Sequence, residues 1–290
     1  MNSSSFIRFR NRHPLPKILV IALLFVAFPR PAVLSQSKDS LVESVGIIED
    51  NSFFIEEAYN QEEHVVQHIF SATRYTGPSN NLMFSFTQEW PAWGQEHQLS
   101  LTIPYSMDSP GTSTGIGDVM INYRYQYASK DDYAACSPRL SLILPTGDVD
   151  KGLGTGTAGL QLNIPFSRRV SKTFVMHLNL GTTFLPGAQA STPTGRVKHA
   201  LTWANTGASI VWLVSPTLNI MLETVQNFGS SIEIDGTVSH SAEIILSPAL
   251  RYAINIGALQ VVPGFAIPVS FARGDRRTGA LLYISFEHPY

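Results

Sequence analysis

From Gln98 to Tyr105 the chain reads QLSLTIPY, with Leu99, Leu101, Ile103 and Tyr105 on one parity and Gln98, Ser100 and Thr102 on the other. Val119 to Ala128 (VMINYRYQYA) repeats the pattern, setting Val119, Ile121, Tyr123, Tyr125 and Tyr127 against Asn122, Arg124 and Gln126. A period of two over eight to ten residues is that of a β-strand whose two faces meet different media. The same alternation predicts twelve strands. The first six are His64 to Arg74, Asn81 to Trp90, Gln95 to Tyr105, Ile116 to Ala128, Asp132 to Pro145 and Gly156 to Arg168. The others are Lys172 to Phe184, Lys198 to Val214, Thr217 to Phe228, His240 to Asn255, Ala258 to Phe271 and Thr278 to Tyr290.

Alternation alone also fits a secreted β-sandwich. The connections discriminate. PAWG, SKDD, the Val170-Ser171 region, Ser215-Pro216 and the Gly257 region are short, whereas SMDSPGTSTG, TGDVDKGLGT, LPGAQASTPTGR, GSSIEIDGTVS and ARGDRR are longer and rich in Gly, Ser, Pro or Asp. Strict short-long alternation is how an outer-membrane barrel separates its turns from its loops. Aromatics gather at the strand ends, with Trp90, Trp93, Tyr127 and Trp212 toward the short turns and Tyr75, Tyr105, Phe184, Phe228 and Phe271 toward the long loops. Two such levels suggest two girdles at headgroup depth. The last strand ends in an aromatic, Tyr290, with Leu282, Ile284, Phe286 and His288 on its parity.

An Arg on the lipid face at mid-bilayer costs roughly 2–4 kcal/mol, so the charges should point inward. They fall opposite the apolar set. Arg124 lies with Asn122 and Gln126; Arg139 opposes Leu140 and Leu142; Arg251 opposes Leu250 and Tyr252. Glu89 shares parity with Thr87, Glu223 opposes Leu222, and Glu287 shares parity with Ser285. Gln161 and Asn163 oppose Leu160 and Leu162, while His177 and Asn179 oppose Leu178 and Leu180. These twelve residues are the expected lumen lining, either selecting solutes or forming an ion network that fills the barrel. Between Lys198 and Val214, Trp203 and Trp212 lie on opposite parities, so the faces of that strand stay unassigned.

The first 35 residues carry Arg8, Arg10, Arg12, Lys17 and Arg30, no acid, and the apolar run Ile18 to Phe28. That run is too short for a spanning helix, which needs roughly 20 residues, and reads as an export signal cleaved after Ser35. Its removal leaves 15 basic against 22 acidic residues, a net charge near −7 in place of −2, which makes nucleic acid an unsuitable partner. The single Cys136 forbids an internal disulfide framework.

Chemistry-bearing motifs are sparse. Gly154 to Gly159 matches G-x-G-x-x-G but runs into the strand pattern LQLNIPF, not a helix, so no dinucleotide site is expected. The eight His residues form no zinc-type spacing, and neither a G-x-S-x-G elbow nor the His-x-Ser pair of a membrane lipid hydrolase occurs. No enzyme, cofactor or metal is expected. Six acids crowd Glu49 to Glu63 ahead of the first strand, and within them Ser52 to Tyr59 (SFFIEEAY) could be a short strand or a plug.

Several segments resemble the outer-membrane proteins grouped as the MetA-pathway of phenol degradation family. They are Glu56 to His68 (EEAYNQEEHVVQH), Thr87 to Pro91 (TQEWP), Leu99 to Tyr105, Gly115 to Gln126 (GIGDVMINYRYQ), Pro138 to Asp148 (PRLSLILPTGD) and His177 to Thr183 (HLNLGTT). The resemblance covers most of the mature chain and is densest from Glu56 to Thr183. It implies an outer-membrane channel and carries over no catalytic residue.

The expectation is thus an all-β, antiparallel up-and-down barrel of about 12 strands in the outer membrane. Residues 1–35 would be a signal peptide, 36–63 a periplasmic segment and 64–290 the barrel. Its function would be passive passage of small solutes, aromatic or hydrophobic ones included. The alternatives are a closed structural or binding barrel and, third, a lipid hydrolase. Its partners would be outer-membrane lipid, the barrel-assembly machinery and a small-molecule solute, with the oligomeric state open.

Overall fold

A computed structural model describes residues 48, 51–76, 82–107, 113–129 and 132–290. The proposed signal peptide lies outside the described residues. The alternating stretches form one antiparallel sheet: β1 (Val65–Tyr75), β2 (Leu82–Pro91), β3 (His97–Met107), β4 in two pieces (Gly115–Ile116 and Met120–Tyr125), β5 in two pieces (Ala135–Cys136 and Arg139–Ile143) and β6 (Gly159–Arg169). Then come β7 (Phe174–Thr192), β8 (Gly195–Ser215), β9 (Leu218–Ile232), β10 (Val238–Tyr252, continued by Ile254–Ile256), β11 in two pieces (Leu259–Ala266 and Val269–Ala272) and β12 (Asp275–Pro289).

Each strand pairs with the next, and β1 pairs with β12 in an unbroken register from Val65 opposite Pro289 to Tyr75 opposite Gly279. The sheet therefore closes on itself with twelve strands and no free edge, which satisfies every ladder without water.

The sidedness is the inverse of a water-soluble protein. Leu160, Leu180, Leu222, Leu250 and Leu282 stand exposed on the outside, while the largest fully buried side chains begin with Arg251, His177, Gln67, Gln98 and Glu223. Soluble monomers rarely expose contiguous apolar patches above a few hundred Å². An apolar belt around the whole circumference is built for lipid.

Three connections depart from expectation. LPGAQASTPTGR, GSSIEIDGTVS and ARGDRR are not long loops, because β7 runs to Thr192, β9 to Ile232 and β11 to Ala272, leaving only Pro193-Thr194, Glu233 to Thr237 and Arg273-Gly274 as turns. Gly and Ser suggested loops there, but pairing with a continuous neighbour overrides a weak local preference. A spanning strand needs about 9–11 residues. At 19 and 21 residues, β7 and β8 project as a hairpin beyond that height. The residues of β8 left unassigned now sort cleanly: Trp203 faces in beside buried Leu201 and Ser209, and Trp212 faces out, stacked on Phe174.

Candidate functional site

The interior is occupied by the chain segment that precedes β1. An extended segment inside a barrel has no strand partner, so its amides must find other acceptors. The wall supplies them from side chains. Glu223 Oε1 on β9 accepts the N–H groups of Phe53, Phe54 and Ile55 at 3.0, 2.8 and 3.3 Å. Asn179 on β7 accepts from Glu56, Ser167 on β6 from Ala58, Gln126 after β4 from Asn60 and Gln98 on β3 from Gln61. Carbonyls are matched likewise: Arg251 Nη1 donates to Asn51 O, Asn179 Nδ2 to Glu56 O, Gln126 Nε2 to Ala58 O and Arg124 Nη1 to Tyr59 O. The segment therefore crosses the lumen from the β9–β10 wall to the β3–β4 wall.

Side chains fix its register. Ile55 fills the space over Gly207 and packs with Val225 and Ile245, while Phe53 lies 4.8 Å from the Tyr283 ring and occupies the place of a Cβ at Gly264. Glu56 forms an ion pair with Arg139 at 2.5 Å and with Arg124 at 3.3 Å, and Arg124 also reaches Glu57 at 3.7 Å. Arg139 further donates to Asn122 and Gln161. Breaking such an enclosed pair by removing one partner strands the other charge.

The segment divides the lumen into two chambers. One, of about 480 Å³ toward the long-hairpin end, has Phe54 and Glu56 as its floor and Trp203 and Glu243 in its wall. The other, of about 1050 Å³, opens at the short-turn end past Gln95, Ser215 and Gly257. No residue lines both. Beyond the first chamber, Ile143, Leu185, Ala188 and Leu201 form a buried apolar cluster against which Trp203 packs.

The residues singled out from sequence distribute along this interior. Arg124, Arg139, Asn122, Gln161, Asn163 and Asn179 gather around Glu56. Glu223 and Arg251 hold residues 51–55. Gln126 holds Asn60, and His177, fully buried, accepts or donates a 2.7 Å hydrogen bond with Ser167 and meets Tyr59 edge-on. Glu89 and Glu287 stand apart on the larger chamber, bonded to Gln98 and Gln67. Ser167 Oγ is taken by the Ala58 amide and is 2 % exposed, so its contact with His177 is a structural link.

The twelve candidates left out Gln98, although it lies on the polar parity of its strand, and also Trp203, Asn205, Asn227 and Glu243. Glu243 opposes Ile244 and Leu246 on the same strand as Arg251, so the parity rule already contained it. The candidates also missed inward apolar positions such as Val211, Met221 and Val225, because the lumen lining was sought among polar residues alone, whereas Phe53, Phe54 and Ile55 pack against an apolar part of the wall.

Ion pairs also tie the outer rim. Asp150, in the 144–158 loop, accepts from Ser191 Oγ and Arg196 Nη2 on the β7–β8 hairpin, each at 2.5 Å, and these hydrogen bonds with the guanidinium charge hold its carboxyl below its ordinary value. Glu233 is held down likewise by Ser239 and Arg273.

No protein-family model and no curated protein matches the chain. Among solved structures it is similar to an outer membrane channel from Pseudomonas putida F1, with 10 % identity and a TM-score of 0.56 over 80 % of this chain and 98 % of that one. The translocator domain of the autotransporter NalP from Neisseria meningitidis aligns over 80 % of this chain and 90 % of that one, at 10 % identity and a TM-score of 0.47. The fold is thus that of an outer-membrane β-barrel.

Proposed function

We propose that the protein is an outer-membrane channel for small solutes, with the segment Asn51 to Gln61 as its internal constriction. The observation that carries the reading is the pair of chambers in series, separated by a segment bound to the wall through side-chain hydrogen bonds and not woven into the sheet. Such bonds contribute about 0.5–1.5 kcal/mol each, up to about 3 with a charged partner, so the segment can yield while the strands stay paired. The short-turn end faces the periplasm and the long hairpins face outside, following the convention of these barrels. The resemblance of Glu56 to Thr183 to the MetA-pathway family supports the same role, and lipid around the Leu belt and the assembly machinery at the aromatic last strand are its partners.

Deleting residues 52–61 from the refolded barrel should raise its conductance in planar bilayers severalfold. Silence from both the full chain and the deletion would overturn the channel reading. It would favour a closed barrel that binds without transporting, the reading to which the enclosed Glu56, Arg124 and Arg139 group lends weight.

A further inference from the structure

We propose that the 480 Å³ chamber is a binding site for a small, uncharged, hydroxyl-rich solute of the size of a monosaccharide or its glycoside. Its wall is dominated by carboxamides. Gln161, Asn163, Asn205 and Asn227 come from β6, β8 and β9, with Glu243 of β10 and the indole of Trp203 completing the ring. An amide offers donors and an acceptor from one planar group, which is what a hydroxyl, itself donor and acceptor, requires. Gln161 is held by Arg139 and Thr183 and Asn227 by Glu243, which fixes the orientation of these amides and leaves their remaining hydrogen-bonding capacity for a solute.

Trp203 supplies the apolar face. Its indole occupies the place of a Cβ at Gly229, so the glycine makes room for the ring at the wall. A flat ring beside converging amides offers a surface for the C–H face of a pyranose while its hydroxyls point to the wall. The charged groups that line the chamber are each paired, Glu56 with Arg139 and Arg124 and Glu243 with Arg277. No lining charge is left over to pair with an ionic solute, and the amide-rich lining argues against a purely apolar occupant. The volume falls within the range of small-molecule sites, about 300–1,000 Å³.

This inference deepens the channel reading, which it needs only for the solute's route. Binding is measured on the refolded full-length chain by saturation-transfer NMR with methyl α-glucoside, gluconate and phenol as probes, and passage is measured separately by proteoliposome swelling. The glucoside should bind in preference to the other two. Asn163→Leu and Asn205→Leu, each confirmed as folded by heat-modifiable gel mobility, should each weaken it about tenfold, the loss of one good hydrogen bond. Phenol or gluconate bound as well as the glucoside, or glucoside binding indifferent to Asn205→Leu, overturns the inference even if swelling persists. Glucoside binding without swelling upholds it while removing the channel.

Discussion

Glu223 shows how one side chain can set the path of a segment. Its carboxylate gathers three consecutive amides, the geometry by which backbone N–H groups bind an anion, at a point where the segment must turn into the lumen. Glu223→Ala should free residues 53–55 while the barrel stays closed. Amide hydrogen exchange at Phe54 and Ile55 should then accelerate by at least tenfold, given about 1.5–3 kcal/mol for bonds to a charged group; unchanged protection would mean that Ile55 and Phe53 hold the segment by packing alone. Gly229→Ala tests the opposite wall. The added methyl must displace the Trp203 indole, so tryptophan fluorescence should shift and the first chamber should lose its flat face.

Strands were legible because each carries its own evidence: alternation in QLSLTIPY or LQLNIPF declares a two-faced element without reference to its neighbours. Hairpin length was not, because the outer halves of β7 and β8 are specified by each other. Gln189 and Lys198 face one another across the ladder, and neither segment alternates strongly enough to announce it. The conflict between Trp203 and Trp212 had a related cause, since a lumenal tryptophan breaks the rule that large apolar groups face lipid. That exception marks the chamber. The projecting hairpin also predicts an acid response. Asp150 has a depressed folded carboxyl, so its contribution is present above the ordinary value of 3.8 and is lost as the pH falls through the lower folded value. NMR signals of Ser191 and Arg196 should stay fixed at neutral pH and move only below 3.8, whereas Asp150→Asn should show the loosened state throughout.

For the molecule entire, the inside-out distribution of polarity makes the bilayer part of its stability. Leu222→Arg, at an outward position 52 % exposed, should reduce folding stability in lipid by about 2–4 kcal/mol, read by denaturant titration in vesicles. A change near zero would mean that this surface never meets hydrocarbon. The twelve-stranded closure followed from sequence and SFFIEEAY already stood out as a possible plug, but its path did not, because nothing in it states which distant side chains will receive its amides.

The unbroken pairing of β1 with β12 has a consequence for biogenesis. A ring whose seam joins Val65 to Pro289 cannot be completed until β12 has been synthesised and delivered, and such long-range contacts form slowly. The segment of residues 51–61 precedes β1 in the chain, yet it ends inside the ring of strands. A segment threaded through a closed ring must either lie inside the curl before the seam zips or enter afterwards through an open end. In the first case, weakening the segment's hold would be felt first as a slower or leakier final closure, before any loss in the finished barrel.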